Sequence, residues 1–227
     1  MKNISIVVFW VMFAFSFLYS SGMGRYEKIC KNGDSSACAI VGVIYLSGNG
    51  VKQNYIKAAE FFKKSCNNRY SEGCLGLGIL YYYGYGFAQD YGKAKELFGK
   101  SCTSNNIDGC SNLGLMYAKG RGENQDWAKA KKYFDRACSG GDAKGCSNLG
   151  LMYAKGKGAA RNFKKASFLY DRACELGSSA GCSNLAYLYA EGRGVEANYN
   201  RARTYYKKAC DLGDRNACAN FSVLKSK

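Results

Sequence analysis

Apolar residues return along this chain at helical spacing, and the same pattern comes back every 36 residues. Leu113-Gly114-Leu115-Met116-Tyr117-Ala118-Lys119-Gly120 recurs as Leu149-Gly150-Leu151-Met152-Tyr153-Ala154-Lys155-Gly156. A fixed period of this size marks stacked supersecondary units, none of which hides its apolar face alone. Each unit reads as two helices. In the third, helix A runs from about residue 108 to Lys119, with Leu113, Gly114 and Tyr117 on one stripe. Helix B follows, with Trp127, Ala130, Tyr133, Phe134 and Ala137 turned inward. Between them lies a Gly-x-Gly turn such as Gly120 and Gly122, where glycine accepts the left-handed backbone past a helix end. Asn54, Asp90, Asp126, Asn162 and Asn198 then stand where helix B needs an N-cap.

Small residues recur at two places. Gly42, Gly78, Gly114 and Gly150, replaced by Ala186 in the last unit, sit in the middle of helix A. Ala58, Ala94, Ala130, Ala166 and Ala202 sit in helix B. A mid-helix glycine costs about 1 kcal/mol against alanine, so its return predicts that a neighbouring helix comes close there.

The twelve cysteines obey the same period. They fall at Cys30 and Cys38, Cys66 and Cys74, Cys102 and Cys110, Cys138 and Cys146, Cys174 and Cys182, Cys210 and Cys218, eight apart within a pair and 36 apart between pairs. The first of each pair ends a helix B and the second opens the next helix A. Residues four before and four after the centre of an antiparallel helical turn face each other, so each pair predicts one short bridge. With no histidine and no C-x₂-C, the cysteines favour disulfides over metal, and no metal or cofactor is expected.

The first residues are a basic start followed by an apolar run from Ile4 to Leu18, then Ser20, Ser21 and Gly22. This is the pattern of a secretory signal peptide over 1–22, leaving 23–227 as the repeat solenoid in a secreted or periplasmic setting. An uncleaved anchor is the competing reading, and the run is short for a ~30 Å hydrocarbon core. The formal net charge is +16. Spread along both helices, at Lys129, Lys131, Lys132, Lys164 and Lys165 for example, it favours acidic partners. It forms no aromatic-interleaved patch of the kind that binds nucleic acid, so no nucleic-acid partner is expected, and a monomer is.

The A-x₃-L-G-x₂-Y-x₂-G-x-G pattern with its capped second helix resembles the Sel1-like repeat, a cousin of the tetratricopeptide repeat. The C-x₇-C pair at every joint resembles, more narrowly, the Helicobacter cysteine-rich protein family. The resemblance covers essentially all of 24–227. It implies an all-α, right-handed α/α solenoid of about five repeats with a disulfide at each joint. It also implies binding of β-lactams with weak β-lactamase activity, or secreted proteins that engage host cells.

The residues supply no catalytic constellation for hydrolysis. One Ser-x-x-Lys occurs, at Ser222 and Lys225, without the Ser-Asp-Asn or Lys-Thr-Gly that complete such a pocket. A zinc enzyme or a Ser–His triad lacks its histidine. What remains is a surface. Asn112, Asn148, Asn184 and Asn220 recur at one helix A position, where Ile40 and Gly76 stand in the first two units. Met116 and Met152 follow four residues on. Amides pair with extended peptide backbone as donor and acceptor, and methionines adapt to varied partners. These residues are expected to line a concave groove that takes a peptide, a protein or a peptidoglycan fragment. The competing reading has the asparagines satisfying neighbouring backbone groups.

Overall fold

The computed structural model describes residues 22–225, and among them every regular element is a helix. The apolar run Ile4–Leu18 lies before the first described residue, so the signal-peptide reading falls outside them. Among the described residues no helix is long and apolar enough to cross a membrane. The chain opens with α1 (22–31). Then come α2 (Ser35–Ser47), α3 (Tyr55–Asn67), α4 (Ser71–Tyr83), α5 (Tyr91–Thr103), α6 (Ile107–Lys119) and α7 (Trp127–Ser139). The series closes with α8 (Ala143–Lys155), α9 (Phe163–Glu175), α10 (Ser179–Glu191), α11 (Tyr199–Asp211) and α12 (Arg215–Lys225). Even-numbered helices are the A helices and odd-numbered ones the B helices. The fold is the all-α repeat solenoid that the 36-residue period predicts.

Each helix pair is terminated by its own residues. Gly48, Gly84, Gly156 and Gly192 close helices A in the left-handed conformation, φ 65–73°. Asn54, Asp90, Asp126, Asn162 and Asn198 cap helices B, their side-chain oxygens accepting from the third amide of the helix. Gln53, Gln89 and Gln125 donate back to the penultimate carbonyl of the preceding helix A at 2.7 Å. These bonds satisfy backbone groups that a helix end leaves without partners.

The chain divides into two compact units, residues up to Gly109 and residues from Cys110 onward. The first is built around Val41, Phe62, Leu77 and Leu80. The second is built around Phe134, Leu149 and Met152, followed by Tyr170, Leu185 and Leu188. In both, the mid-helix glycines meet an aromatic ring of their own repeat's helix B. A Cβ on Gly42 would lie 2.6 Å from Phe62, and one on Gly78, Gly114 or Gly150 would lie 2.8 Å from Phe98, Phe134 or Tyr170.

At the joints, Cys30–Cys38, Cys66–Cys74, Cys138–Cys146, Cys174–Cys182 and Cys210–Cys218 are bridged, with Cα atoms 4.4–4.7 Å apart. Cys102 and Cys110 are disulfide-bonded as well, and no cysteine is free. A small residue sits beside each bridge. Ala137 packs on Gly145 and Ala173 on Gly181, leaving no room for a Cβ. In the first unit Ser65 and Ser101 take that place, fully buried, and donate to the Ser35 and Ser71 carbonyls at 2.7 and 2.9 Å. Burial of these hydroxyls is offset by those bonds.

Candidate functional site

The outward face of helix A carries the asparagine column. Asn112, Asn148 and Asn184 are half-buried and Asn220 is exposed. Asn220 lies by the Tyr206 hydroxyl. The side-chain amides of Asn148 and Asn184 find no hydrogen-bond partner among the described residues, and no buried side-chain polar atom there is left unsatisfied. The two amides therefore face solvent and are not engaged by neighbouring backbone.

The methionines differ from expectation. Met116 is fully buried and Met152 is 3% exposed. Both belong to the core, because at about 3.6 residues per turn the i+4 position lies about 40° round the helix from the asparagine, toward buried Leu113 and Leu149, and the i+3 position about 60° the other way. The residue three on from the asparagine faces out in their place: Leu151 is 37% and Tyr187 42% exposed. The outward row on α8 is thus Asn148, Leu151 and Lys155, and on α10 it is Asn184, Tyr187 and Glu191. In the first unit the same face is apolar, with Ile40 and Val43 exposed.

In the second unit this face opens into a cavity of about 250 Å³ between α6 and α8. Leu115 and Lys119 wall one side, Asn148, Leu151 and Lys155 the other, with Trp127 and Met152 beneath. The Lys157 ammonium stands 4.6 Å from the Trp127 ring, within cation–π range. Gly158 seats this arrangement. Its φ is 69°, and a Cβ there would lie 2.6 Å from the Trp127 carbonyl oxygen and 2.9 Å from the Met152 methyl. Lys119, Lys155 and Lys157 make the rim basic, while the interior offers one amide and apolar walls. At the far end of the chain, Ser222 donates its hydroxyl to the Cys218 carbonyl at 3.0 Å, which ties it to its own helix.

Two columns escaped the sequence reading. Helices α3, α5, α7, α9 and α11 each begin with an aromatic residue, and in α3, α7 and α9 a residue from the next repeat's turn covers it. Tyr85 stacks on Tyr55 at 5.0 Å, Lys157 on Trp127, and Arg193 lies over Phe163 at 5.7 Å. The second column pairs Tyr45, Tyr81, Tyr117, Tyr153 and Tyr189 with Lys57, Lys93, Lys129, Lys165 and Arg201, whose cationic groups stand 5.0–5.5 Å from the ring centroids. Part of the excess positive charge is therefore a packing element. The signal was in the sequence as a cation twelve residues after each of these tyrosines, a spacing with no meaning until the two helices are laid together.

Comparison with known proteins places these features. The Sel1 repeat family profile matches five consecutive segments, 35–70, 71–106, 107–142, 143–178 and 179–214. Among solved structures, the chain is similar to c5321, a protective antigen of uropathogenic Escherichia coli with an SLR fold. The two are 28% identical with a TM-score of 0.82 over 89% of this chain and 43% of that one, so this chain spans less than half the antigen's length. A Sel1 repeat protein from Oxalobacter formigenes is 24% identical, with a TM-score of 0.79 over 84% of this chain and 76% of that one. Helicobacter pylori cysteine rich protein B is 32% identical over 60% of this chain and 97% of its own, with a TM-score of 0.48. No curated protein matches the chain.

Proposed function

The chain belongs to the Sel1 repeat family, and from that premise we propose that it is an exported scaffold that binds an extended peptide or a cell-wall peptide across the outward faces of its helices A. Sel1 repeats generally mediate protein–protein interaction. The observation that carries the finer reading is the pair of half-buried amides, Asn148 and Asn184, held at one repeat position without a protein partner. A primary amide offers a donor and an acceptor side by side, as a peptide bond does. Leu151 and Tyr187 beside them supply apolar contact, and the cavity under Asn148 accepts one side chain of the bound strand. Lys119 and Lys155 favour a strand with acidic groups. The disulfide at every joint supports an oxidising compartment, secreted or periplasmic, since such bridges are rare in reducing ones.

The test is a double substitution, Asn148→Ala with Asn184→Ala. Peptides selected from a random display library on the wild-type protein are labelled, and their affinity for the double variant is read by anisotropy. Each lost amide contact is worth about 0.5–1.5 kcal/mol, so the pair should weaken binding by roughly 1–3 kcal/mol with an unchanged melting temperature. Unchanged binding would remove the asparagine column from the site.

A further inference from the structure

A larger cavity lies elsewhere among the described residues. It is a groove of about 870 Å³ in the first unit, between the B helices α3 and α5, at the upper end of the range for small-molecule sites. Its floor is apolar: Leu77, Tyr81 and Leu97, with the Cys66–Cys74 bridge near one end and Ile56 and Phe87 near the other. In the second unit, Lys131 of one repeat reaches across to the next and holds its ammonium 5.7 Å from the Tyr153 ring. Tyr153 is covered on its other side by Lys165. The residue matching Lys131 in the first repeat is Ala59. Its methyl group packs on the core and is too short to span to Tyr81, the counterpart of Tyr153. Phe87 packs on Tyr81 at 4.4 Å and Lys93 stands 5.2 Å from it. Among the described residues no cation from the preceding repeat covers the ring, and it lines the groove.

The rim is basic. Lys63, Arg69, Lys93 and Lys100 stand against Glu60 and Glu96. Glu96 is bound to Lys100 at 2.6 Å, and Lys93 is turned to Asp90 at 3.3 Å. Lys63 and Arg69 make no ion pair among the described residues. Arg69 is held at φ 62°, in the left-handed conformation that other repeats give to Gly33, Gly141, Gly177 and Gly213, or to Asn105. An arginine is strained there, and a strained residue lining a cavity points to a use for its side chain.

We propose that this groove is a second binding site, for a small amphiphile with an aliphatic body and a single carboxylate head. The body lies along Leu77, Tyr81 and Leu97, and the head pairs with Arg69 and Lys63. The charge balance of the rim selects an anion, and the uninterrupted apolar floor selects a tail over a polar chain.

The test is isothermal titration of the full chain with dodecanoate below its micelle concentration. Dodecyltrimethylammonium gives the same tail with the opposite head, and acetate gives the head without a tail. One dodecanoate per chain should bind, with the other two at least about tenfold weaker, the order set by one charge-assisted hydrogen bond. Ala59→Lys, which restores the cover that Lys131 gives Tyr153, should abolish binding and leave the melting temperature in place. Arg69→Gly should weaken dodecanoate binding about tenfold while raising the melting temperature, a pairing of effects that a merely structural arginine would not give. Equal affinity for the cationic amphiphile, or full binding by the Ala59→Lys variant, would overturn the proposal. So would self-association that Ala59→Lys abolishes and dodecanoate leaves alone, which would give the groove to a second copy. An acidic apolar peptide that binds there where dodecanoate does not would equally overturn it. Loss of dodecanoate binding in the Asn148→Ala, Asn184→Ala double variant would move the ligand to the helix A face.

Discussion

A single hydrogen in place of a methyl group decides how close the two helices of a repeat come. At Gly114 the ring of Phe134 occupies the space a Cβ would need, at 2.8 Å, and Phe134 is itself buried. The recurrence of glycine was legible in the sequence as a sign of close approach. Its partner was not, because an aromatic twenty residues further on reads only as one more core residue. Gly114→Ala gains up to about 1 kcal/mol in helix propensity but loses about 1–3 kcal/mol to overpacking. A net loss of up to about 2 kcal/mol is expected in urea denaturation. Ala186 and Tyr206 share one core cluster in the last repeat, so a methyl group is accommodated beside a tyrosine there, and Gly150→Ala, which faces Tyr170, should be the milder change. If Gly114→Ala stabilises the protein, the contact is looser than the geometry indicates.

The helix is the scale at which charge and cap meet. The residue at the third position of each helix B gives its amide to the N-cap and its side-chain cation to a tyrosine of helix A. One residue thus fixes both the start of its helix and the pairing with its neighbour, and this double duty is invisible to periodicity alone. The backbone amides of Lys93 and Lys129 hold the Asp90 and Asp126 carboxyls below their ordinary value of 3.8. For Asp34 the Ser36 hydroxyl is the leading cause. A depressed carboxyl stabilises the fold above the unfolded value and loses that contribution as pH falls through the folded one. The urea midpoint should therefore hold from pH 7 to about 4 and fall below 3.8. Asp126→Asn keeps the cap without a titrating proton and should flatten part of that fall. Asn54, Asn162 and Asn198 cap their helices with no charge to lose. A variant that retains the full acid loss would show that the cap aspartates are not its source.

At the scale of the molecule, the fold was legible because one period governs helices, turns and cysteines together. The outward row of helix A was legible only in part: periodicity placed the asparagines outward but could not separate the i+3 from the i+4 neighbour, and so put Met116 on a surface. The groove of the first unit was hidden for another reason. It exists through an absence, Ala59 in a column elsewhere held by Lys95, Lys131, Ser167 and Arg203. Each bridge closes a loop of about nine residues and contributes roughly 2–3 kcal/mol in the chain-entropy model. Six such contributions are as large as the whole ~5–15 kcal/mol by which a domain is stable. Full reduction should accordingly collapse the helical circular dichroism, while Cys138→Ala with Cys146→Ala should cost only about 2–3 kcal/mol. Retained helicity after reduction and alkylation would show that packing alone holds the repeats.

The eight-residue spacing of the bridges has a temporal consequence. Twelve thiols allow far more pairings than the 105 open to eight, yet each native partner is the next cysteine to appear across a single short turn. A chain that enters an oxidising space from its N-terminus meets its correct partners in order: the first thiol of a pair waits only for the turn and one helical turn beyond it. Oxidation that keeps pace with entry then writes the native pattern vectorially, one joint at a time, and nothing needs to be reshuffled afterwards.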